Sequence, residues 1–207
     1  MEKSGNAITG FTFKLPNDQS TEAALSGADL LYMPYKAITP KKDLTADGKI
    51  KIPLKHNLSK LVMKIIFGTE FNNTTEGMAA NPISSITING LKISGELHDS
   101  PLATDTEKYL HAIGDTSHII PYFDSSAYTA GSGNIHANAN YECIVVPQTV
   151  ESSQLEVSVF IAGYEYKWVC PYSINFASDN KYTITLTLGK DAVSLNRITK
   201  SPWSKAR

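Results

Sequence analysis

The chain has 207 residues, 42% hydrophobic and 19% charged, with 19 basic against 20 acidic side chains and a formal net charge of -1. That length suits one large domain, or one domain with part of another, able to bury a core without staples. The charge balance gives no field that would hold nucleic acid or an anionic membrane, and no apolar run is long enough for a spanning helix.

The opening Met1-Glu2-Lys3-Ser4-Gly5-Asn6 has no apolar segment of the kind a secretion signal carries, so none is expected within this chain. Phe11, Phe13 and Leu15 alternate as a strand, Pro16-Asn17-Asp18 reads as a turn, and Leu30-Leu31-Tyr32-Met33 as a short strand ended by Pro34. Ile50, Ile52 and Leu54 alternate with Lys49, Lys51 and Lys55, which predicts a half-buried strand over 50–55. The nearly all-apolar run 61–67 predicts a central strand, since its β-branched residues and Gly68 disfavour a helix.

Strands are expected over 83–88 and 91–97, joined as a hairpin by Asn89-Gly90, a pair suited to a type I′ turn. The segment 98–140 is long and rich in Ser, Ala, Asp, Asn and Gly, and is expected to be a surface loop. Ile119-Ile120-Pro121-Tyr122-Phe123 within it reads as a short edge strand, because Pro121 lacks a ladder donor. Binding groups concentrate on loops held by a rigid sheet, which makes Tyr122 and Tyr128 candidate interaction residues.

Further strands are expected over 141–147, 155–161, 164–170, 181–188 and 192–198, with Ala162-Gly163 turning one hairpin. Leu155, Val157, Val159 and Ile161 point to a core, as do Tyr182, Ile184, Leu186 and Leu188; Thr183, Thr185 and Thr187 read as the exposed face. Tyr164, Tyr166 and Trp168 share a face expected to point inward, opposite Glu165 and Lys167. No segment carries a helical stripe of 11 or more residues, so the fold expected is all-β, an antiparallel β-sandwich.

Chemistry is sparse. Cys143 and Cys170 lie in strand-like runs with no metal spacing and read as small buried hydrophobes, with a disulfide as the other possibility. The five histidines, His56, His98, His111, His118 and His136, lack metal-site spacing and read as loop residues. Glu96, Glu142, Glu156 and Glu165 fall on solvent faces, and no phosphate loop, nucleophile elbow or dinucleotide fingerprint occurs. No catalytic residue, cofactor or metal is expected, and the chain is not read as an enzyme.

Several short segments recur in a telling order. Asp18-Gln19-Ser20 leads to Asp29-Leu30-Leu31-Tyr32, and a lysine-rich stretch runs into His56-Asn57-Leu58-Ser59-Lys60. Tyr141 to Thr149 reads YECIVVPQT, and Asn180 to Leu186 precedes an end at Ser201-Pro202-Trp203. The series resembles the fimbrillin family of the Bacteroidales, subunits of type V pili and related surface fibres. The resemblance implies transthyretin-like sandwich lobes, export as a lipoprotein to the outer membrane, and donor-strand exchange with other pilus subunits. It places residues 1–49 as the remnant of an N-terminal fimbrillin lobe and 50–207 as a sandwich, with a soft boundary. It also makes Ile198 and Trp203, in the last strand region, candidate interaction residues.

The chain departs from the family by lacking a signal peptide and a lipidation cysteine and by its short length. Its only arginines are Arg197 and Arg207, so an arginine-specific cut near the start has no site. Stalk, tip and non-polymerising roles stay open. The alternative reading is a surface carbohydrate-binding module that uses its aromatics and the 98–140 segment to hold a glycan.

Overall fold

The computed structural model describes residues 2–4, 7–32, 39, 42, 44–50, 54–73, 79–97 and 110–203. In chain order the strands are β1 (Glu2–Ser4), β2 (Ala7–Lys14), β3 (Leu31–Tyr32), β4 (Lys55–His56), β5 (Ser59–Phe67), β6 (Ile83–Leu97), β7 (His111–Ile119) and β8 (Tyr122–Thr129). They continue as β9 (Asn138–Val145), β10 (Gln148–Val150), β11 (Glu156–Ile161), β12 (Tyr164–Val169), β13 (Ile174–Phe176), β14 (Asn180–Leu188) and β15 (Val193–Pro202). Among the described residues an α-helix, α1 (Glu22–Gly27), follows Thr21, whose hydroxyl oxygen accepts the Ala24 N–H as an N-cap, and a 3-10 turn spans Thr69–Asn73.

Two sheets make the sandwich. One has the order β1-β2-β6-β11-β12, with β7 along the other side of β6; the second has the order β15-β14-β5-β9-β8. Two-stranded ribbons, β3-β4 and β10-β13, complete the described strands. Every pairing between the described strands is antiparallel except β5 with β14, which run parallel. β5 is the central strand, as its apolar sequence predicts.

The registers stack the core in rows. Tyr182, Leu61 and Cys143 lie side by side across β14, β5 and β9, followed by Ile184, Met63 and Tyr141, then Leu186, Ile65 and Ala139. All nine are buried, and they meet Ile86, Ile88, Leu91, Ile93, Val157, Val159 and Trp168 of the facing sheet. The period-2 alternation of these strands puts one row of side chains inside, which is why each reads clearly in sequence. Both cysteines are buried and free.

Several expectations are corrected. Asn89-Gly90 does not turn a hairpin: β6 runs unbroken from Ile83 to Leu97, and Gly90, at φ +86°, sits where its pairing with β7 shifts by one residue. The extra residue changes the parity, so Ile86 and Ile88 before it and Leu91 and Ile93 after it all face the core. A Cβ on Gly90 would lie 1.9 Å from the Gln154 carbonyl oxygen, so close approach of the next turn also requires glycine.

The expected loop 98–140 contains β7 and β8, and residues 98–109 lie outside the described ones. Its small polar composition reflects two edge strands with half-solvated faces. Ile120-Pro121 is where the chain leaves one sheet for the other: β7 pairs with β6, β8 with β9. Of the expected strand 50–55, Ile50 and Leu54 are exposed, Lys55 belongs to β4, and residues 51–53 lie outside the described ones. Thr185, expected at the surface, is buried between Arg197 and Lys64 of the neighbouring strands.

The 155–161/164–170 hairpin forms as expected, turning at Ala162 (φ 50°) and Gly163 (φ 84°). Of its aromatic row, Trp168 is buried, Tyr166 half-buried and Tyr164 72% exposed, because the row runs out past the end of the core. Residues of the first segment also join this sandwich. β2 pairs with Ser94–Leu97 of β6, and Leu15 and Ala28 are buried in the common core.

Candidate functional site

Two glutamines stand in for missing strand residues. Beyond the start of β8, the outer side of β9 lacks a strand partner at Ile144. The Gln19 carboxamide fills that place: its Oε1 accepts the Ile144 N–H at 2.7 Å and its Nε2 donates to the Ile144 carbonyl at 3.0 Å. A primary amide carries the same donor and acceptor as a peptide group, so it can complete a ladder where backbone does not reach. Gln19 is fully buried. On the facing sheet Gln148 does the same for Lys92 of β6, accepting its N–H at 3.0 Å and donating to its carbonyl at 2.9 Å.

The segment around Gln19 is itself anchored. The Gln19 N–H donates to the Ile120 carbonyl, and the Ile120 N–H to the Asn17 carbonyl. Asn17 Nδ2 donates to Ser117 Oγ and to the His118 carbonyl, both at 2.7 Å. The Ser20 hydroxyl, and then the Ser20 N–H that donates to Asp18 Oδ1, hold the Asp18 carboxyl below the usual carboxylate range.

A second junction forms around His56. Its Nδ1 lies 2.9 and 3.0 Å from the two Asp29 carboxylate oxygens, so this nitrogen carries the proton it donates. The imidazole stacks on the Trp203 indole, with centroids 3.7 Å apart and planes 7° from parallel. The Asn57 N–H donates to the Leu30 carbonyl, Leu31 pairs with His56 across β3 and β4, and the Trp203 N–H donates to the Asp179 carbonyl. The junction therefore ties Asp29-Leu30-Leu31, His56-Asn57 and Trp203, three segments far apart in sequence. His56 is buried, which corrects its reading as a surface loop histidine.

The candidate interaction residues fall into two separate places. Tyr122 and Tyr128 lie on β8, and Ile198 and Trp203 on or just after β15. These are the two outer strands of one sheet, with three strands between them. Four strand spacings put them about 19 Å apart, so they form no single site. Tyr128 donates to the Ala80 carbonyl at 2.9 Å and meets Phe123 edge to face; Phe123 leans on Tyr141. Burial pushes the Tyr141 hydroxyl up to about 12. Tyr122, on the opposite side of the strand from Phe123, is half-buried. Ile198 faces Ile184 and packs against the core.

Among the described residues no cluster of three His, Cys, Asp or Glu side chains is arranged to hold a metal ion. Glu142 is paired with Lys60, and Glu156 with Lys167. The sequence motifs carried the glutamines and the histidine junction only as an ordered pattern. That a glutamine side chain would act as a strand surrogate leaves no periodic signal.

Residues 2–203 match the model of a family described as fimbrillin-like. None of the curated proteins matches the chain. Among solved structures, a proposed cell adhesion protein from Bacteroides uniformis is similar at a TM-score of 0.63 and 16% identity, over 99% of this chain and 69% of that one. Another from Bacteroides ovatus is similar at a TM-score of 0.51 and 14% identity, over 86% of this chain and 62% of that one. Both likenesses are of fold, and they bear out the all-β sandwich.

Proposed function

The chain belongs to the fimbrillin-like family, a family of fimbrial structural and adhesion proteins, and from that premise we propose that it is a fimbrial subunit or tip assembling by β-strand exchange. The observation that carries this reading is the match of the family over residues 2–203, nearly the whole chain. The sandwich supports it. β7, β8, β12 and β15 each have a strand on one side only among the described strands, so edge groups are available for pairing in trans. A donor strand of about ten residues that buries five apolar side chains gains on the order of 7–15 kcal/mol before ordering costs.

The partners are other pilus subunits and the location is the cell-surface fimbrium. Anchorage at the outer membrane as a lipoprotein belongs to the proposal, as does the transthyretin-like form of the sandwich. So does the division into an N-terminal lobe remnant at 1–49 and a sandwich at 50–207; on this reading Leu15, Gln19 and Asp29 dock the remnant onto its neighbour. Ile198 and Trp203 would sit at the subunit junction, and Tyr122 and Tyr128 at a lateral face. No catalytic role is assigned to any residue.

The test is expression of the chain with its native upstream region in a bacterium of the same order. Surface-exposed, protease-matured polymer, seen as heat-stable ladders, is expected. Protein confined to the cytoplasm would overturn the reading. A surface monomer that binds a glycan, and loses it on Tyr122→Ala or Tyr128→Ala, would instead favour a carbohydrate-binding module.

A further inference from the structure

β5 and β14 lie inside their five-stranded sheet, each paired on both sides. One face of each strand is buried in the core and the other turns outward. On the outward face of β14, Thr183 and Thr187 are half-buried, but Thr185 between them is only 3% exposed. Its Oγ1 is shut from water and makes no hydrogen bond. A buried hydroxyl without a partner costs stability and is uncommon in folded chains.

The registers give its neighbours. Thr185 pairs with Arg197 of β15 on one side and with Lys64 of β5 on the other, and Lys64 pairs in turn with Asn140 of β9. All of these face outward, since the residues next to them along each strand, Ile184, Ile198, Met63 and Tyr141, pack inward. Two cationic side chains therefore flank the hydroxyl, on backbones about 10 Å apart. Among the described residues neither Arg197 nor Lys64 makes an ion pair. The nearest carboxylates of the face are already engaged. Glu142, one row along, pairs with Lys60, and Asp124, beyond Asn140, accepts the N–H and the hydroxyl of Ser126.

Two free cations and a free hydroxyl in one row fit an oxyanion. The guanidinium offers a planar fork that a carboxylate matches with two parallel bonds, the ammonium a point charge on the other side, and the hydroxyl a third donor between them. The sheet limits what can carry that carboxylate. Lys64 and Thr185 stand on strands with both edges paired, so a peptide cannot add there as a further strand. What the face offers around the cations is short polar side chains, those of Thr183, Thr187, Thr199 and Asn140. Hydroxyls and carboxamides both donate and accept, as the hydroxyls of a sugar do.

We infer that this row is a binding site for a carboxylate-bearing sugar, with Arg197 and Lys64 clamping the carboxylate and Thr185 Oγ1 donating to it. The long side chains of Arg197 and Lys64 shelter the hydroxyl in the free protein and turn to the anion when it arrives. The site uses no strand edge, so it stands apart from strand exchange and from the fimbrial reading.

The test is calorimetric titration of the purified chain with trigalacturonate at low salt, with the methyl ester of the same trisaccharide as the uncharged control. Binding of the acid that weakens as salt rises is expected, and none of the ester. Arg197→Gln and Lys64→Gln should each weaken binding about tenfold or more, and Arg197→Lys, which keeps the charge but loses the fork, should not restore it fully. Thr185→Val keeps the shape and removes the hydroxyl. It should weaken binding about fivefold while leaving the urea midpoint unchanged or higher, because no protein partner is lost. A chain that does not bind trigalacturonate at millimolar concentration overturns the inference. So does equal binding of the ester, or binding unchanged in Arg197→Gln and Lys64→Gln. A lower urea midpoint for Thr185→Val would make the hydroxyl a structural group and remove it from the site. A hexaglutamate peptide bound as tightly as the trisaccharide would overturn the sugar and leave an acidic peptide as the ligand. Because this test uses purified protein and the fimbrial test uses cells, each can fail alone.

Discussion

Single side chains do backbone work in this molecule. Gln19 completes both hydrogen bonds of Ile144 in a site closed to water, so removing its amide leaves a buried donor and acceptor unpaired. Gln19→Ala should destabilise the fold by about 1–3 kcal/mol, read as a lower midpoint in urea unfolding with the slope unchanged. An unchanged midpoint would mean that water replaces the amide. Tyr141 gives a pH prediction. Its hydroxyl is held by Asn81 and raised to about 12 by burial, from an ordinary value of 10.0. The unfolded chain therefore loses this proton first as pH rises. The contribution to stability is complete below pH 10.0 and disappears as pH passes from 10.0 to about 12. Ultraviolet titration of the phenolates should show late ionisation from Tyr141 and, to a smaller degree, from Tyr128, which burial also raises, and Tyr141→Phe should remove the later part of it.

Secondary elements were legible where one face is buried over several residues, as in β5, β11 and β14. They were misread where a single residue resets parity. The pair Asn89-Gly90 has hairpin chemistry, yet Gly90 serves as a bulge in a strand of 15 residues. Period-2 counting sees Ile86, Ile88, Leu91 and Ile93 as two strands, because the step from 88 to 91 is odd. β15 shows the same device: its register shifts opposite Thr185 and Leu186, so Leu195 and Ile198 both pack inward. Gly90→Ala should cost more than about 2 kcal/mol, since φ +86° and the Gln154 carbonyl both oppose a Cβ. Its thermal midpoint should fall further than that of Gly114→Ala, where positive φ is the only obstacle and no atom lies within 4 Å. Equal losses at both positions would deny the close approach. β7 and β8 were hidden for another reason: strands with half-wet faces need few apolar residues, so composition alone reads them as loop.

At the scale of the molecule, the ordered motifs were the legible part of the candidate site, and the geometry explains why order matters. Asp29, His56 and Trp203 are meaningful only together, around one stacked ring pair. Trp203→Leu should release the end of β15 and lower stability by about 1–3 kcal/mol. Hydrogen exchange should quicken at Asn180–Thr183 and at Thr199, Lys200 and Ser201, which lie on paired strands next to the junction, while β5 stays protected. Uniformly faster exchange would mean that the junction holds the whole sandwich and not its last strand. The parallel pair at the centre has a consequence of another kind. β5 ends at Phe67, but its two neighbours begin only at Asn138 and Asn180. During synthesis the most apolar strand of the chain waits without a ladder partner until most of the sequence has left the ribosome. Until those partners are made, β5 carries an apolar face and two open ladder edges, so its pairing between incomplete chains is the misfolding route that this strand order invites.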